Sequence, residues 1–180
     1  LEAGGVARMR ERFARGGLPR PWHAPWKQLA TSLGLTFLST GFSLDDLQFL
    51  VNEISIPAIK IASGDITFFP LIHYAATTGL PILLSTGAAT YDEIREALRI
   101  INEARGLPQY GFFMEDVAVL HCRCLYPCPD DLADLSVIHT LRHGFPMGAV
   151  GLSDHSVSAD LVPALAVSQG ATLIEKHLRL

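Results

Sequence analysis

The amino-acid sequence predicts an α/β protein with a parallel sheet, and more specifically a (β/α)8 TIM barrel. Short apolar runs that are rich in β-branched residues recur along the 180-residue chain, and each is followed by a stretch of helical character. The runs are almost continuously hydrophobic, which is typical of strands buried on both faces. Alternating strands and helices imply right-handed crossovers between parallel strands.

Six strands are predicted, and they divide the chain into βα units. Their bounds are Thr36–Thr40, Ala58–Ala62, Pro81–Ser85, Val117–His121, Met147–Leu152 and Ala171–Glu175. Residues 1–35 are assigned to a helical or loop segment that leads in from a preceding barrel unit, and residues 36–180 to a partial barrel. Since the chain begins with Leu1 and lacks the apolar core of a secretory signal, we expect it to be an interior piece of a longer chain.

Helix signals follow the strands. Ser43 is a good N-cap, and the helix dipole favours the acids Asp45 and Asp46 in the first turn. Thr90 and Glu93 have the spacing of a capping box. Two further helices are predicted over Pro70–Thr78, which stops at Gly79, and over Ser158–Ser168, which stops at Gly170.

The placement of polar residues favours a barrel over a doubly wound sheet. No GxGxxG pattern follows the first predicted strand, so the dinucleotide-binding fingerprint is absent from the sequence. Barrel enzymes collect their chemistry from the carboxyl ends of many strands, whereas an open sheet concentrates it near one switch point. Polar residues at or just beyond predicted strand ends are Thr40, Lys60, Ser63, Ser85, His121, Ser153, His155 and His177.

Composition excludes two classes of partner and indicates a cellular compartment. The net charge is −4, which leaves no basic footprint for nucleic acid, and no apolar run reaches the roughly 18 residues of a membrane span. Cys122, Cys124 and Cys128 form an odd, clustered set that makes a poor disulfide framework and suggests a reducing cytoplasm. With His121 they could bind zinc, but they lack a CxxC pair, and the first two fit one face of a strand better.

Three predicted strand ends combine a hydroxyl group with a glycine and together predict an anion site. They are Ser63-Gly64, Ser85-Thr86-Gly87 and Gly151-Leu152-Ser153. Small residues let backbone amides approach an anion, hydroxyls add hydrogen bonds, and Lys60 supplies positive charge. Each end alone could simply terminate a strand, but three ends with a lysine favour a phosphate and carboxylate site. Lys60 could instead form a Schiff base, as in barrel aldolases, although its spacing to Ser63 suits an anion clamp at least as well.

Two histidines predict a metal site. His155 and His177 end consecutive predicted strands, and neighbouring strand ends in a parallel barrel lie about 5 Å apart. Neutral imidazole suits Mn, Fe, Co or Zn, and the adjacent acids Asp154 and Glu175 could orient the rings. A single histidine is more often a hydrogen-bonded structural residue, and only the matched positions favour a metal. Ser153-Asp154-His155 is not a hydrolase triad, because adjacent strand residues point to opposite faces.

Seven short segments occur along the chain in an order that resembles one enzyme family. They are Phe37–Thr40, Lys60–Asp65, Leu84–Gly87, Leu120–Cys122, Tyr126–Pro127, Gly151–His155 and Glu175–His177. Each segment alone is weakly specific, but the seven in order, with fitting gaps, are highly specific. From about Thr36 to its end the chain resembles the N-acetylneuraminate (sialic acid) synthase family, which includes legionaminic, pseudaminic and spore-coat polysaccharide synthases.

The resemblance implies a condensation of phosphoenolpyruvate with an N-acetylated sugar aldehyde, such as N-acetylmannosamine, to a nonulosonic acid with release of phosphate. It implies that the six predicted strands are strands three to eight of the barrel, and that His155 and His177 bind a divalent metal, typically Mn²⁺. Tyr126 would line the site, and Asp65 would help to position water. The residues implied to hold phosphoenolpyruvate are Thr40, Lys60, Ser63, Ser85 and Ser153. The implied full-length protein is a homodimer, in which a C-terminal domain lends an arginine to the partner's site.

The sequence departs from the family pattern at several points. Gly41 stands where the family often has proline, Asp65 replaces a usual glutamate, and Cys124 replaces a polar residue, commonly Asn or Ser. The first two barrel strands, the last barrel helix and the C-terminal domain of the family have no counterpart in the 180 residues. We therefore expect residues 1–180 alone to be inactive and prone to associate through unpaired strand edges.

Two other functions compete with this prediction. A synthase of 3-deoxy-heptulosonate or octulosonate phosphate would use the same phosphoenolpyruvate chemistry on a sugar phosphate. It would need a second phosphate site, for which the strand ends offer no extra cluster of arginine or lysine. The non-enzymatic alternative is a truncated or degenerate homologue that only binds or scaffolds. The retained lysine, serines and histidines argue against it.

Overall fold

A computed structural model describes residues 17–107, 116–145 and 148–178 of the chain. These residues divide into two units at the boundary between Phe37 and Leu38. The first unit contains helix α1, Arg20–Ser32, which begins after Pro19. Proline near a helix start costs little, because the first amide groups of a helix have no intrahelical partner. No helix in the described ranges combines the length and apolar character that crossing a bilayer requires.

The second unit alternates helices and strands. The strands are β1 Ile59–Ile61, β2 Ile82–Ser85, β3 Val117–Cys122, β4 Ala149–Asp154 and β5 Leu173–Lys176. The helices are α2 Leu44–Phe49, α3 Phe69–Thr77, α4 Tyr91–Ala104, α5 Ser136–Gly144 and α6 Leu161–Ser168. A π-helical turn, Leu50–Ile54, extends α2, and short 3₁₀ turns cover Ser63–Asp65 and Asp130–Leu132. Predicted and observed strands agree within two or three residues for five of the six, and Met147 lies outside the described residues.

The five strands form one parallel sheet in the order β1-β2-β3-β4-β5. Every residue of β3 is buried, as expected of a central strand covered on both faces. Lys60 of β1 and Glu175 of β5 approach to 3.5 Å between Nζ and Oε2. In a flat sheet these strands would lie roughly 19 Å apart. The sheet therefore curves strongly, and the fold is a parallel half-barrel of α/β type.

The predicted strand Thr36–Thr40 is wrong. Residues 35–41 have no regular secondary structure, and in the described part of the chain β1 pairs with β2 alone. An extended apolar segment becomes a strand only when a neighbour takes up its backbone hydrogen bonds. The composition of the segment favours a strand, but this pairing is missing.

The predicted caps at Ser43 and Thr90 are confirmed, whereas the helix predicted from Ser158 begins at Leu161. The Ser43 hydroxyl accepts a hydrogen bond from the Asp46 amide at 3.1 Å. Thr90 and Glu93 form the complete capping box, in which the Thr90 amide donates to Glu93 Oε2 at 2.7 Å. Gly79 follows α3 with φ of +71°, a conformation that glycine adopts without strain. Local sequence signals therefore set where the helices begin and end.

Candidate active site at the carboxyl ends of the strands

Lys60 lies at the centre of a polar cluster inside the half-barrel. Its side chain is buried, and Nζ donates hydrogen bonds to Ser85 Oγ at 2.8 Å and to the Ile61 carbonyl at 3.3 Å. Glu175 provides the counter-charge from β5. A buried ammonium requires such partners, since an unpaired charge in a low-dielectric interior is very costly. The sequence did not identify Glu175 as the partner of Lys60.

The ends of β1 and β2 converge beside this lysine. The Gly87 amide donates to Ser63 Oγ at 2.9 Å. A Cβ atom added at Gly87 would lie 2.6 Å from Cys124 Sγ and 2.9 Å from Ser63 Oγ, so only glycine fits this position without displacement. Ser153 is buried at the end of β4, where it is in register with Cys122 of β3 and Glu175 of β5.

Two other predicted residues lie at the margin of the cluster. Asp65 closes the 3₁₀ turn that begins at Ser63. Burial raises the pKa of Asp65, and the nearby Lys60 charge offsets this only in part. Thr40 is half-buried in the irregular segment before α2 instead of at a strand end. The structure therefore brings Lys60, Ser63 and Ser85 together and does not bring Thr40 into a described hydrogen bond with them.

His155 and His177 lie side by side at the ends of β4 and β5. Their ring centroids are 5.4 Å apart, and Tyr126 stacks on His155 with a centroid distance of 3.9 Å. The Arg123 carbonyl accepts a hydrogen bond of 2.8 Å from His155 Nδ1. Because a carbonyl only accepts, Nδ1 carries the proton, and in the neutral ring Nε2 then has the lone pair. This tautomer is the one that a histidine needs in order to ligate a metal through Nε2.

The chemistry of this pair fits a divalent ion. Two imidazoles can ligate one ion when their rings face a common point, and the separation of these rings allows that. Within the described ranges, no group of three or more His, Cys, Asp or Glu side chains has the geometry of a complete metal site. Among the described residues, the two histidines are therefore the side chains that could hold an ion at this place.

Cys122 is a site residue that sequence reasoning missed. Its sulfur lies 4.0 Å from each ring nitrogen of His155. Burial acts to raise the pKa of the Cys122 thiol, but interactions with His155 and Ser63 outweigh it and the pKa is lowered. Burial acts to lower the pKa of His155, and interaction with Cys122 outweighs it, so that pKa is raised. The spacing of Cys122 and Cys124 just after a strand was the available signal.

The acids next to the histidines do not orient the rings, contrary to expectation. Asp154 binds Lys176 and Ser156, and Glu175 binds Lys60, so the carbonyl that orients the His155 ring is that of Arg123. Alternation along the strand explains the error, because Asp154 points to the face opposite His155.

His121 was counted among the strand-end polar residues, but it too points away from the cluster. Its Nε2 donates to the Ala133 carbonyl at 2.8 Å, and burial lowers its pKa. A neutral, buried and hydrogen-bonded imidazole of this kind has a structural role.

Comparison with known proteins places this geometry in one family. The NeuB family model matches residues 3–180. The chain is 38% identical to the N,N'-diacetyllegionaminic acid synthase of Legionella pneumophila over 156 residues, which cover 86% of this chain and 42% of that protein. The crystal structure of the spore coat polysaccharide biosynthesis protein spsE from Bacillus subtilis superimposes with a TM-score of 0.80 at 35% identity, covering 89% of this chain and 42% of that one.

A second solved structure agrees with the first. The N-acetylneuraminic acid (sialic acid) synthetase of Leptospira borgpetersenii, determined with citrate, matches with a TM-score of 0.78 at 34% identity. The match covers 89% of this chain and 52% of that one, so the chain spans about half the length of these relatives. The family model extends over almost all of the sequence. The chain therefore belongs to the NeuB family.

Proposed function

We propose that the protein that contains this chain is a sialic-acid-type synthase. It condenses phosphoenolpyruvate with an N-acetylated sugar aldehyde, such as N-acetylmannosamine, to a nonulosonic acid and releases phosphate. The observation that carries this proposal is the convergence of the buried Lys60 and Ser85 with the His155–His177 pair inside one curved sheet. An anion site beside two metal-competent imidazoles is what this condensation requires.

Lys60 and its neighbours form the proposed clamp for phosphoenolpyruvate. The ammonium group supplies positive charge, and the hydroxyls of Ser63, Ser85 and Ser153 supply hydrogen bonds. Burial strengthens each of these interactions, because the effective dielectric constant is far below that of water. Lys60 acts as a hydrogen-bonded cation without forming a Schiff base, since the condensation needs no imine.

His155 and His177 would hold the divalent ion, for which the family resemblance favours Mn²⁺. When bound, the ion supplies Lewis-acid polarisation of the aldehyde oxygen. Nδ1 of His155 is fixed by the Arg123 carbonyl, and the Tyr126 ring covers its imidazole face, so the ring keeps one orientation. Tyr126 thereby lines the proposed sugar side of the site.

The overall reaction balances with the groups present. A bond forms between C3 of phosphoenolpyruvate and the aldehyde carbon, whose oxygen takes up a proton, while water adds at C2 and gives up a proton. The bond from C2 to the phosphate oxygen then breaks, and the C2 hydroxyl loses its proton to the departing phosphate as the ketone forms. The clamp holds the charge of the departing phosphate. Asp65 helps to hold the attacking water, and burial of its carboxyl group raises its pKa.

An assay of the protein expressed from its full reading frame tests the proposal. Phosphoenolpyruvate, Mn²⁺ and a panel of N-acetylated sugars are supplied, and phosphate release is measured together with the nonulosonic acid by mass spectrometry. Phosphorylated sugars are included to detect a heptulosonate- or octulosonate-type synthase. Turnover with an N-acetylated sugar is expected. Turnover confined to sugar phosphates without an N-acetyl group, or no turnover at all, would overturn the proposal.

The architecture around the site is proposed in the same way. The curved parallel order from β1 to β5 supports strands four to eight of a (β/α)8 barrel. A homodimer in the cytoplasm is proposed for the full-length protein, on the family resemblance and on the three free cysteines. Light scattering on the purified full-length protein would measure its oligomeric state.

A further inference from the structure

We propose that Asp154 and Lys176 form a clamp between β4 and β5 that positions His155 and His177 as one ligand pair. This inference rests on the metal site of the proposed function and adds two positioning residues to it. Each member of the clamp immediately precedes one of the histidines in the sequence. The clamp lies on the opposite face of the strands from the rings, because adjacent strand residues alternate between faces.

The register of the sheet places the two clamp residues opposite each other. Asp154 and Lys176 are partners in the parallel ladder of β4 and β5. Lys176 Nζ donates to Asp154 Oδ2 at 2.6 Å, and the side-chain exposures are 14% for the lysine and 3% for the aspartate. Because a shift of β5 by one residue would break this buried pair, the clamp fixes the register at the strand ends from which the histidines extend.

The clamp also holds the two residues that flank His155 in the sequence. Asp154 Oδ1 accepts from the Ser156 amide at 2.8 Å, and Oδ2 accepts from the Ser156 hydroxyl at 3.0 Å. Lys176 Nζ in addition donates to the Ser156 carbonyl at 3.0 Å. The residues before and after His155 are thus held by one ammonium group of the neighbouring strand. The His155 carbonyl accepts from the Cys128 amide at 2.9 Å, which leaves this residue little freedom.

His177 depends on the clamp more than His155 does. Its side chain is exposed, and within the described residues its recorded interactions are ring contacts with Tyr126 and His155. The ion pair of the adjacent Lys176 with Asp154 is therefore the side-chain contact that holds the His177 end of β5 against β4. Weakening this contact would let the distance between the two rings vary, and a shared ligand would then be bound less tightly.

The test compares Mn²⁺ affinity in variants of the full-length protein, using titration calorimetry and the electron paramagnetic resonance signal of free Mn²⁺. D154N/K176M removes both charges without leaving one unpaired, and the asparagine keeps an acceptor for the Ser156 amide. Asp154→Asn alone is the second variant, which weakens the clamp while the Lys176 ammonium group keeps its contacts with Ser156. Lys176→Arg keeps the ion pair and is the conservative variant. Arg105→Met is the control, because Arg105 is a cation of similar burial that pairs with the more exposed Asp116 at the other end of the sheet.

The clamp variants are expected to bind Mn²⁺ about 10- to 100-fold more weakly than the wild type, the usual effect of residues that support a metal ligand. Lys176→Arg and Arg105→Met are expected to bind within about 3-fold of the wild type, a margin well below that effect. Thermal unfolding in the absence of metal checks that each variant is folded at the temperature of the titration. If D154N/K176M fails to fold, Asp154→Asn decides the result.

Two results would overturn the clamp. The first is wild-type affinity in a folded clamp variant. The second is an equal loss in Arg105→Met, because that would trace the effect to general stability. A wild type that does not bind Mn²⁺ would remove the proposed metal site itself, so failure of the proposed function is distinguished from failure of the clamp alone.

Discussion

The two ends of the parallel sheet use ion pairs of buried cations differently. At the amino end, Arg105 bonds to Asp116 at 2.6 Å and to the Leu80 carbonyl at 2.7 Å, which ties the end of α4 to the segments that lead into β2 and β3. At the carboxyl end, Lys60 and Lys176 each bridge different strands and lie beside hydroxyl or imidazole groups. Both ends bury a cation, and among the described residues the lysine, hydroxyl and imidazole groups suited to ligand binding lie together at the carboxyl end.

This difference follows from the architecture of parallel α/β folds. All strands point the same way, so their carboxyl ends share one rim, and the loops after them are free to carry polar groups. At the amino end, short connections return from the helices and mainly join elements. An ion pair there should matter for stability, whereas one at the carboxyl rim should also matter for ligand binding.

Replacing Lys60 should have the largest effect. Lys60→Met removes the cation of the phosphoenolpyruvate clamp, and loss of about 100- to 1,000-fold in kcat/KM is expected. Arg105→Met is the control from the amino end and should lower the unfolding temperature while retaining kcat/KM. Equal losses of activity in the two variants would contradict the functional difference between the ends.

The chemistry of Lys60 can be examined separately. Borohydride reduction in the presence of phosphoenolpyruvate and sugar should leave Lys60 unmodified in a peptide map. A covalent adduct on this residue would instead assign the protein to the Schiff-base aldolases.

Replacing the paired histidines should abolish metal binding. His155→Ala or His177→Ala removes one of two protein ligands, so the loss of Mn²⁺ affinity should exceed the roughly 100-fold upper range for supporting residues. His121→Ala is the control, because this imidazole bonds to the Ala133 carbonyl on the other face of β3. Unchanged Mn²⁺ binding in both His155 and His177 variants would refute the metal site.

The substitution Gly87→Ala should lower the stability of the protein moderately. The new methyl group would crowd Cys124 and Ser63, and a loss of about 1–3 kcal/mol in the free energy of unfolding is expected. Gly64→Ala, in the turn that follows β1, is the matched control, because its Cβ would meet nothing within 4 Å. Chemical denaturation measures both, and a Gly64 variant as unstable as the Gly87 variant would show that crowding is not the cause.

The smallest effect is expected in the pH dependence of stability at Asp65. Because burial raises its pKa in the folded state, the folded protein binds the proton more tightly than the unfolded chain does. The associated stability is complete below the unfolded value of 3.8 and is lost as the pH rises through the folded pKa. Asp65→Asn should therefore gain stability relative to the wild type between acid and neutral pH. A stability difference between the two proteins that stays constant with pH would indicate that the pKa of Asp65 is the same in the folded and unfolded states.

Much of the local structure was predictable from the sequence alone. Ser43 and Thr90 predict the starts of α2 and α4, because the residues that complete each cap lie only three positions away. Continuous apolar runs indicate β1 to β5 because burial on both faces leaves that pattern. Lys60, set in such a run three residues before a Ser-Gly pair, is the basis of the predicted anion site, and the structure places its ammonium group at Ser85.

The pairing of groups across the half-barrel was decided only by the tertiary structure. Curvature of the sheet brings Glu175 to Lys60, and register brings Lys176 to Asp154, although the sequence suggested that both acids serve the histidines. The segment 36–40 has the composition of a strand, yet it forms none because it makes no backbone pairing with β1. Contacts between strands depend on curvature, register and available neighbours, and none of these is encoded in the few residues that a sequence pattern covers.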